Sequence, residues 1–130
     1  MSEKEIENSI LHFLNSFLGV TCWKNQSVGI YDPVKKIYRK SNNKYHFKGV
    51  SDILGIVQGK FLAIEVKSET GRLTPEQKAF IMKINEDGGI AFVARSLQDV
   101  VTNLTKFFPE NKALRELAKR HNIPEKFIEQ

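Results

Sequence analysis

Cysteine, histidine and tryptophan are scarce in this chain of 130 residues, which has one Cys, three His and one Trp. The single Cys22 excludes an internal disulfide, and no Cys/His set has the spacing of a zinc site. There is no run of about 18 apolar residues, so no transmembrane helix is predicted and no membrane partner is expected. The segment MSEKEIENS is charged and polar rather than an apolar signal segment, so we expect a cytoplasmic protein.

Length and charge bound the class of protein. Lys and Arg number 20 against 15 acidic residues, which gives a net charge of +5. A basic balance permits a phosphate backbone as partner but does not require one. With 41% hydrophobic and 27% charged residues, the composition is that of a globular protein. We therefore expect a single domain over residues 1–130.

The most informative stretch, GVSDILGIVQGKFLAIEVK from Gly49 to Lys67, is predicted to form two apolar strands joined by a tight turn. Gln58-Gly59 suits a two-residue hairpin loop because glycine tolerates a positive φ. A loop of those two residues places Asp52, at the start of the first strand, opposite Glu65 in the second. Side chains directly opposite in an antiparallel pair lie about 5 Å apart at Cβ, so the two carboxylates are expected to meet.

Strand alternation brings a third charge to the same place. Glu65 and Lys67 share one face of the second strand, and the other face directs Leu62, Ile64 and Val66 toward a core. Two carboxylates repel unless a positive charge lies between them, and Mg²⁺ accepts a sparse set of carboxylates, a carbonyl and waters. The pattern favours a metal site; the alternative is an edge hairpin with solvated charges.

The residues around these charges resemble a known nuclease family. Asp52 followed by Glu65-Val66-Lys67 is similar to the PD-(D/E)XK motif, with Ser51 in place of its Pro. The segments GVSDILG, GKF, IEVK and GRLTPEQ together resemble the VRR-NUC branch of that superfamily. This branch includes small stand-alone phage and bacterial nucleases similar to Holliday-junction resolvases. The cytoplasm would then be that of a bacterium, or of the host of a phage.

The resemblance implies a Mg²⁺-dependent endonuclease, with Mn²⁺ as a substitute, that hydrolyses phosphodiester bonds of branched DNA as a homodimer. Asp52, Glu65 and the carbonyl of Val66 would hold the metal, which activates water and neutralises charge on the phosphate. Lys67 would position that water or stabilise the transition state. Two alternatives stay open: a non-catalytic nucleic-acid-binding module, and a nuclease subunit of a restriction-type system.

Two further side chains are expected to assist. Gln77 either closes a helix-capping box with Thr74 or, as in proteins that this chain resembles, lies near the active site. Family members similar to this chain carry an acid on the first helix that reaches the metal. Glu3 and Glu7 both qualify, and we favour Glu3; the alternative is that both are surface acids that complement the helix dipole.

The polar, basic stretch from Tyr31 to Phe47 is predicted to be a long loop or a flexible hairpin. Basic residues interleaved with aromatics beside a nuclease centre suit a flap that grips DNA, and the alternative is a solvated hairpin. The candidate DNA-binding residues are Lys35, Lys36, Arg39 and Lys40, with Arg72 as a further phosphate contact.

The remaining periodicity completes an α/β domain. It predicts a helix over Glu3–Leu18 and a strand from Val20 to Ile30. Trp23 in this strand is expected to pack in the core or at its rim. A helix from Pro75 to about Glu86, a central strand over Ile90–Ala94 and helices over Leu97–Phe108 and Asn111–His121 are predicted to follow. The expected architecture is the restriction-endonuclease-like αβββαβ core, with a mixed central sheet flanked by helices.

Overall fold

The structure is a computed structural model that describes residues 2–17, 19–26, 30–39 and 47–121. Within these ranges the elements, in chain order, are α1 (Glu3–Leu14), β1 (Val20–Lys24), β2 (Ile30–Asp32), β3 (Ile37–Arg39), β4 (Ile53–Val57), β5 (Lys60–Val66), α2 (Pro75–Glu86), β6 (Ile90–Ala94), α3 (Leu97–Phe107) and α4 (Lys112–Arg120). No helix in the described ranges is long and apolar enough to cross a membrane.

Four strands form one mixed sheet in the order β1-β4-β5-β6. The pairs β1–β4 and β4–β5 are antiparallel, whereas β5–β6 is parallel and is connected through α2. The short strands β2 and β3 pair with each other as a separate hairpin between β1 and β4. The expected α/β fold with a mixed sheet and flanking helices is confirmed.

The central hairpin has the predicted loop and register. Gln58 and Gly59 both have positive φ, 48° and 81°, as a two-residue type I′ turn requires. Val57 therefore pairs with Lys60, and the ladder ends at the pair Ile53–Ile64. Asp52 lies one residue before β4, at the end of the sheet where β5 finishes.

Helices cover both faces of the sheet. The main core lies between one face and the helices α1, α3 and α4, and includes Ile10, Leu14, Cys22, Ile53, Leu62, Ile64, Val66, Val100, Leu104 and Leu114. On the other face, Ala63 and Ala91 are buried against Phe80 of α2, with Leu54 and Ile84 packed beside them. We call this second side the α2 face. β5 is therefore covered on both sides from Leu62 to Val66, whereas Lys60 and Phe61 at its start are exposed.

The position of β6 differs from the prediction of a central strand, because the structure places it at the edge of the sheet. Ile90 and Ala94 are nevertheless buried. The reason is that α2 and α3 both pack on this strand, so its apolar run reflects cover from above and below. An apolar run therefore indicates that both faces of a strand are buried, but it does not show whether the strand has a neighbour on one side or on both.

The first helix is shorter than predicted, ending at Leu14 instead of Leu18, which lies outside the described residues. Asn15 ends it: its Nδ2 donates to the carbonyls of Leu11 and Cys22, both at 3.0 Å, and its Oδ1 accepts from the N–H of Cys22 at 2.9 Å. The Asn15 side chain thus provides hydrogen-bond partners for the N–H and the carbonyl of Cys22 at the outer edge of β1. β1 itself ends at Lys24, short of the predicted Ile30.

We predict different costs for alanine at two glycines with positive φ. A Cβ on Gly49 would lie 2.4 Å from the backbone carbon of Glu76 at the start of α2, whereas a Cβ on Gly59 would meet open space. Both substitutions strain the backbone, but only Gly49→Ala also forces two backbones apart. We expect Gly49→Ala to lower the free energy of unfolding by about 2 kcal/mol more than Gly59→Ala. Equal midpoints in urea unfolding would contradict this.

Candidate active site

Four elements converge at one end of the sheet and bring the predicted charges together. β4 begins and β5 ends at this edge because the two strands are antiparallel. The first turn of α2 contributes Gln77, which contacts Glu65, and the first turn of α1 contributes Glu3, which contacts Ser68. The polar side chains of the site therefore come from rigid elements, apart from the short loop that follows β5.

Asp52 is fixed from both sides. Its Oδ2 accepts a hydrogen bond of 2.8 Å from the backbone N–H of Val66, and its carbonyl accepts one of 2.7 Å from Asn25. The β4–β5 ladder ends at Ile53–Ile64, so the N–H of Val66 is available to donate to the Asp52 carboxyl. The sequence predicted that the two carboxylates would meet directly, whereas Asp52 binds the backbone beside Glu65. Asp52 is nevertheless close enough to Glu65 for its charge to raise the pKa of that residue.

Glu65 is the most strongly perturbed acid among the described residues. Its side chain is almost fully buried, with 2% relative exposure for the residue. Its pKa is raised to about 8, first by burial and then by the charge of Asp52 and a side-chain hydrogen bond with Asp52, while Lys67 opposes the rise. Glu65 Oε2 is buried and receives no hydrogen bond. The protonated form of Glu65 is therefore favoured relative to an ordinary glutamate, and a cation at this position would favour the ionised form instead.

Gln77 has both of the roles considered from the sequence. Its Oε1 accepts from the N–H of Thr74 at 2.9 Å, and the Thr74 hydroxyl accepts from the N–H of Gln77, which completes the predicted capping box. Its Nε2 donates to Glu65 Oε1 at 2.9 Å. The side chain of Gln77 therefore caps α2 and orients the carboxyl of Glu65 at the same time, so the two roles are not alternatives.

Lys67 extends from the end of β5 on the same side as Glu65. Its Nζ lies 3.8 Å from Glu65 Oε1, and 15% of its side chain is exposed. The distance is too long for a hydrogen bond, so the contact is a charge interaction between partly buried groups. The ammonium thus lies beside the carboxyl pair and is still reachable from solvent.

The two acids of α1 take different positions. Glu3 Oε1 accepts a hydrogen bond of 3.1 Å from the N–H of Ser68, so it contacts the loop that follows Lys67. Glu7 is buried and forms an ion pair with Lys24, 3.1 Å from Oε1 to Nζ. In the described part of the chain no three His, Cys, Asp or Glu side chains form a group that could hold a metal. A metal here would therefore rely on two carboxyls and a carbonyl.

The candidate DNA-binding residues belong to two other segments of the chain, the β2–β3 region and the loop between β5 and α2. Lys35 and Lys36 are exposed in the turn between β2 and β3, and Arg39 belongs to β3. Lys40 lies outside the described residues. Arg72 is exposed in the loop between β5 and α2. The structure shows where these residues lie, and their contact with DNA stays a prediction.

Sequence reasoning missed Arg95, the residue directly after β6. Its Nη1 donates to the carbonyls of Ser68 at 2.7 Å, Gly71 at 2.6 Å and, more weakly, Glu69 at 3.4 Å. A loop that binds an arginine through its backbone carbonyls leaves no pattern in its side chains. The only available signal was the position of Arg95 after a strand parallel to β5, because parallel strands end at the same edge of a sheet.

A carboxyl pair and a lysine on neighbouring strands of a mixed sheet define the PD-(D/E)XK class of nucleases. The sequence model of the VRR-NUC domain matches residues 25–98, and the chain belongs to this nuclease family. A solved structure described as a VRR_NUC domain protein is similar, with a TM-score of 0.56 and 16% sequence identity, over 85% of this chain and 91% of that one. At this identity the likeness shows the fold. No curated protein matches the chain.

The raised pKa of Glu65 predicts an unusual dependence of stability on pH. Since the folded protein keeps a proton that the unfolded chain releases above its ordinary value of 4.5, stability is greatest below that pH and falls as pH rises toward about 8. We expect a slope of at most about 1.4 kcal/mol per pH unit in metal-free buffer. Glu65→Gln should flatten it, and an unchanged slope in that variant would assign the effect elsewhere.

Arg95 is predicted to order the loop after β5. Arg95→Met keeps the aliphatic stem but removes the donors to three carbonyls, whereas Arg95→Lys keeps a cation that can reach some of them. We expect faster amide hydrogen exchange at residues 68–71 in the Met variant, with partial recovery in the Lys variant. Equal exchange in both variants and the parent protein would show that the loop is held by other contacts.

Proposed function

We propose that this protein is a metal-dependent DNA endonuclease that hydrolyses phosphodiester bonds of branched DNA, similar to a Holliday-junction resolvase, in recombination, repair or phage replication. One observation carries the proposal: a buried carboxyl oxygen of Glu65 has no hydrogen-bond donor and lies in a site shared with Asp52 and Lys67. A purely structural site would be expected to satisfy that oxygen.

The residues present fit Mg²⁺, with Mn²⁺ as its substitute. Asp52, Glu65 and the carbonyl of Val66 offer only oxygen ligands, which hard cations prefer. Two carboxylates suffice for Mg²⁺ because it keeps several of its waters. The cation would replace the proton that burial and Asp52 hold on Glu65. When bound, it lowers the pKa of a coordinated water and neutralises charge on the phosphate.

The surrounding side chains have separate tasks in this mechanism. Gln77 binds Glu65 Oε1 and leaves Oε2 for the cation, while the N–H of Val66 fixes the orientation of Asp52. Lys67, which is 3.8 Å from Glu65, has donors available for a phosphate oxygen or the attacking water. Glu3 assists through the loop that it binds at Ser68.

Contacts to DNA would come from outside the cluster. The exposed turn with Lys35 and Lys36, continued by Arg39 and Lys40, is proposed as a flap that binds the phosphate backbone, and Arg72 as a contact nearer the site. A homodimer would supply one active site per strand of a two-fold junction. Both proposals rest on the sequence and on the family resemblance.

We expect Asp52→Asn and Lys67→Ala to reduce cleavage of a four-way junction by about 10²-fold or more, because each removes a charge that acts on the reacting phosphate. DNA affinity should change little, since phosphate contacts elsewhere supply it. Glu76→Gln and Lys78→Ala on the exposed side of α2 are matched controls and should cleave normally. Circular dichroism of the two site variants must match the parent, because loss of fold in Asp52→Asn would make that residue structural.

The same assay separates the competing functions. Incubation with a four-way junction, a linear duplex and a single strand, in Mg²⁺ or EDTA, should give symmetric nicks at the junction only with metal. Equal cutting of all three would indicate a general nuclease. Binding without cutting in Mg²⁺ or Mn²⁺ would contradict catalysis and support a non-catalytic binding module, and activity that needs a second protein would support a restriction-type subunit.

A further inference from the structure

The chain has a single tryptophan, Trp23. Of the two positions expected from the sequence, the core is excluded, since 47% of the residue is exposed. Trp23 lies in β1, an edge strand of the main sheet. The preceding residue, Cys22, points into the main core, so strand alternation directs Trp23 to the α2 face. A half-exposed indole on a sheet surface leaves a large aromatic plane available for a ligand.

The register places this indole next to the carboxyl pair. Trp23 is the Cα partner of Leu54, which packs on the α2 face, and Asp52 follows two residues away on the same face. Trp23 and Asp52 are therefore diagonal neighbours on adjacent strands, about 7–8 Å apart, a spacing that aromatic side chains can bridge. The peptide N–H of Asn25, two residues after Trp23, bonds directly to the carbonyl of Asp52, which fixes this spacing.

The charges around the indole favour a nucleotide over a protein as its ligand. Lys67 lies beside the carboxyls on this face, whereas Lys24, the residue after Trp23, is on the opposite face of β1 and pairs with Glu7. A ligand that places a flat ring on the indole and a phosphate near Lys67 matches this arrangement. A protein seated on Trp23 would instead cover the approach to Asp52 and Glu65, whose function requires an open path.

We propose that Trp23 stacks on an unstacked base next to the phosphate that is cleaved, so that the substrate is DNA in which a base at the cleavage position has an open face. This inference rests on the proposed nuclease function and specifies its substrate. Inside an intact duplex each base is stacked on both sides and offers no plane to the indole, whereas junctions, flaps and single strands do. Stacking on aromatic side chains is tolerant of sequence because every base has a π-face.

Because Trp23 is the only tryptophan, its fluorescence reports on this contact alone. The Asp52→Asn variant, which should bind without cutting, is titrated with a 12-nucleotide single strand, a duplex with a single-stranded flap and a blunt duplex. We expect strong quenching by the first two and little by the blunt duplex at equal saturation. Equal quenching by all three, or binding of the flap without quenching, would overturn the inference.

Affinity measurements with labelled DNA supply the second test. Trp23→Leu should weaken binding of the flap about 5- to 150-fold, the effect of one stacked base, and leave the blunt duplex unchanged. Trp23→Phe keeps an aromatic ring and should recover part of the loss. The matched control is Ile56→Ala on the α2 face, the diagonal neighbour on the side away from Asp52, 48% exposed, which should bind normally.

Two outcomes would point elsewhere. If Ile56→Ala weakens binding as much as Trp23→Leu, or if Trp23→Leu dissociates a dimer in size-exclusion chromatography, the surface is a protein interface and the inference fails. If the parent protein neither binds nor cuts any of the DNA substrates, the proposed nuclease function fails and this inference with it. Cleavage of flap DNA with unchanged tryptophan fluorescence defeats the inference alone.

Discussion

The placement of a buried carboxyl group, Glu65, beside a partly buried one, Asp52, at the end of one hairpin is the constraint on which the rest of this structure depends. A buried carboxylate is costly, and a second one beside it adds repulsion, so the pair must be neutralised by a proton, a cation or neighbouring donors. The protein supplies donors for Asp52 Oδ2 and Glu65 Oε1 and leaves Glu65 Oε2 without one. One buried carboxyl oxygen is thus left for a proton or a bound cation to neutralise.

The elements around the pair are arranged so that this oxygen stays in place. A slip of one residue in the β4–β5 register would move Asp52 to the opposite face, so the two-residue turn at Gln58-Gly59 also sets the site. Gln77 joins the start of α2 to Glu65, and Arg95 joins the end of β6 to the loop after β5. Chemistry of the VRR-NUC kind therefore rests on backbone geometry that is fixed before any ligand binds.

Features that depend on neighbours in sequence were the most predictable. The turn at Gln58-Gly59, the capping box of Thr74 and Gln77 and the two faces of β5 follow from local rules of turn chemistry, capping and alternation. Because the hairpin is local, its register also predicted that Asp52, Glu65 and Lys67 would share one patch. The first helix was predicted too long, since periodicity alone does not reveal that the amide of Asn15 would be used by β1.

The sequence by itself determined the central hairpin, the cap of α2 and the residues of the carboxyl site, because each depends on contacts between residues close along the chain. Only the tertiary structure decided that β6 is an edge strand, that Arg95 binds a loop more than 20 residues away and that Trp23 lies open beside Asp52. These features depend on which faces other elements cover. Hydrophobic periodicity records that a face is covered, but it does not record which element covers it.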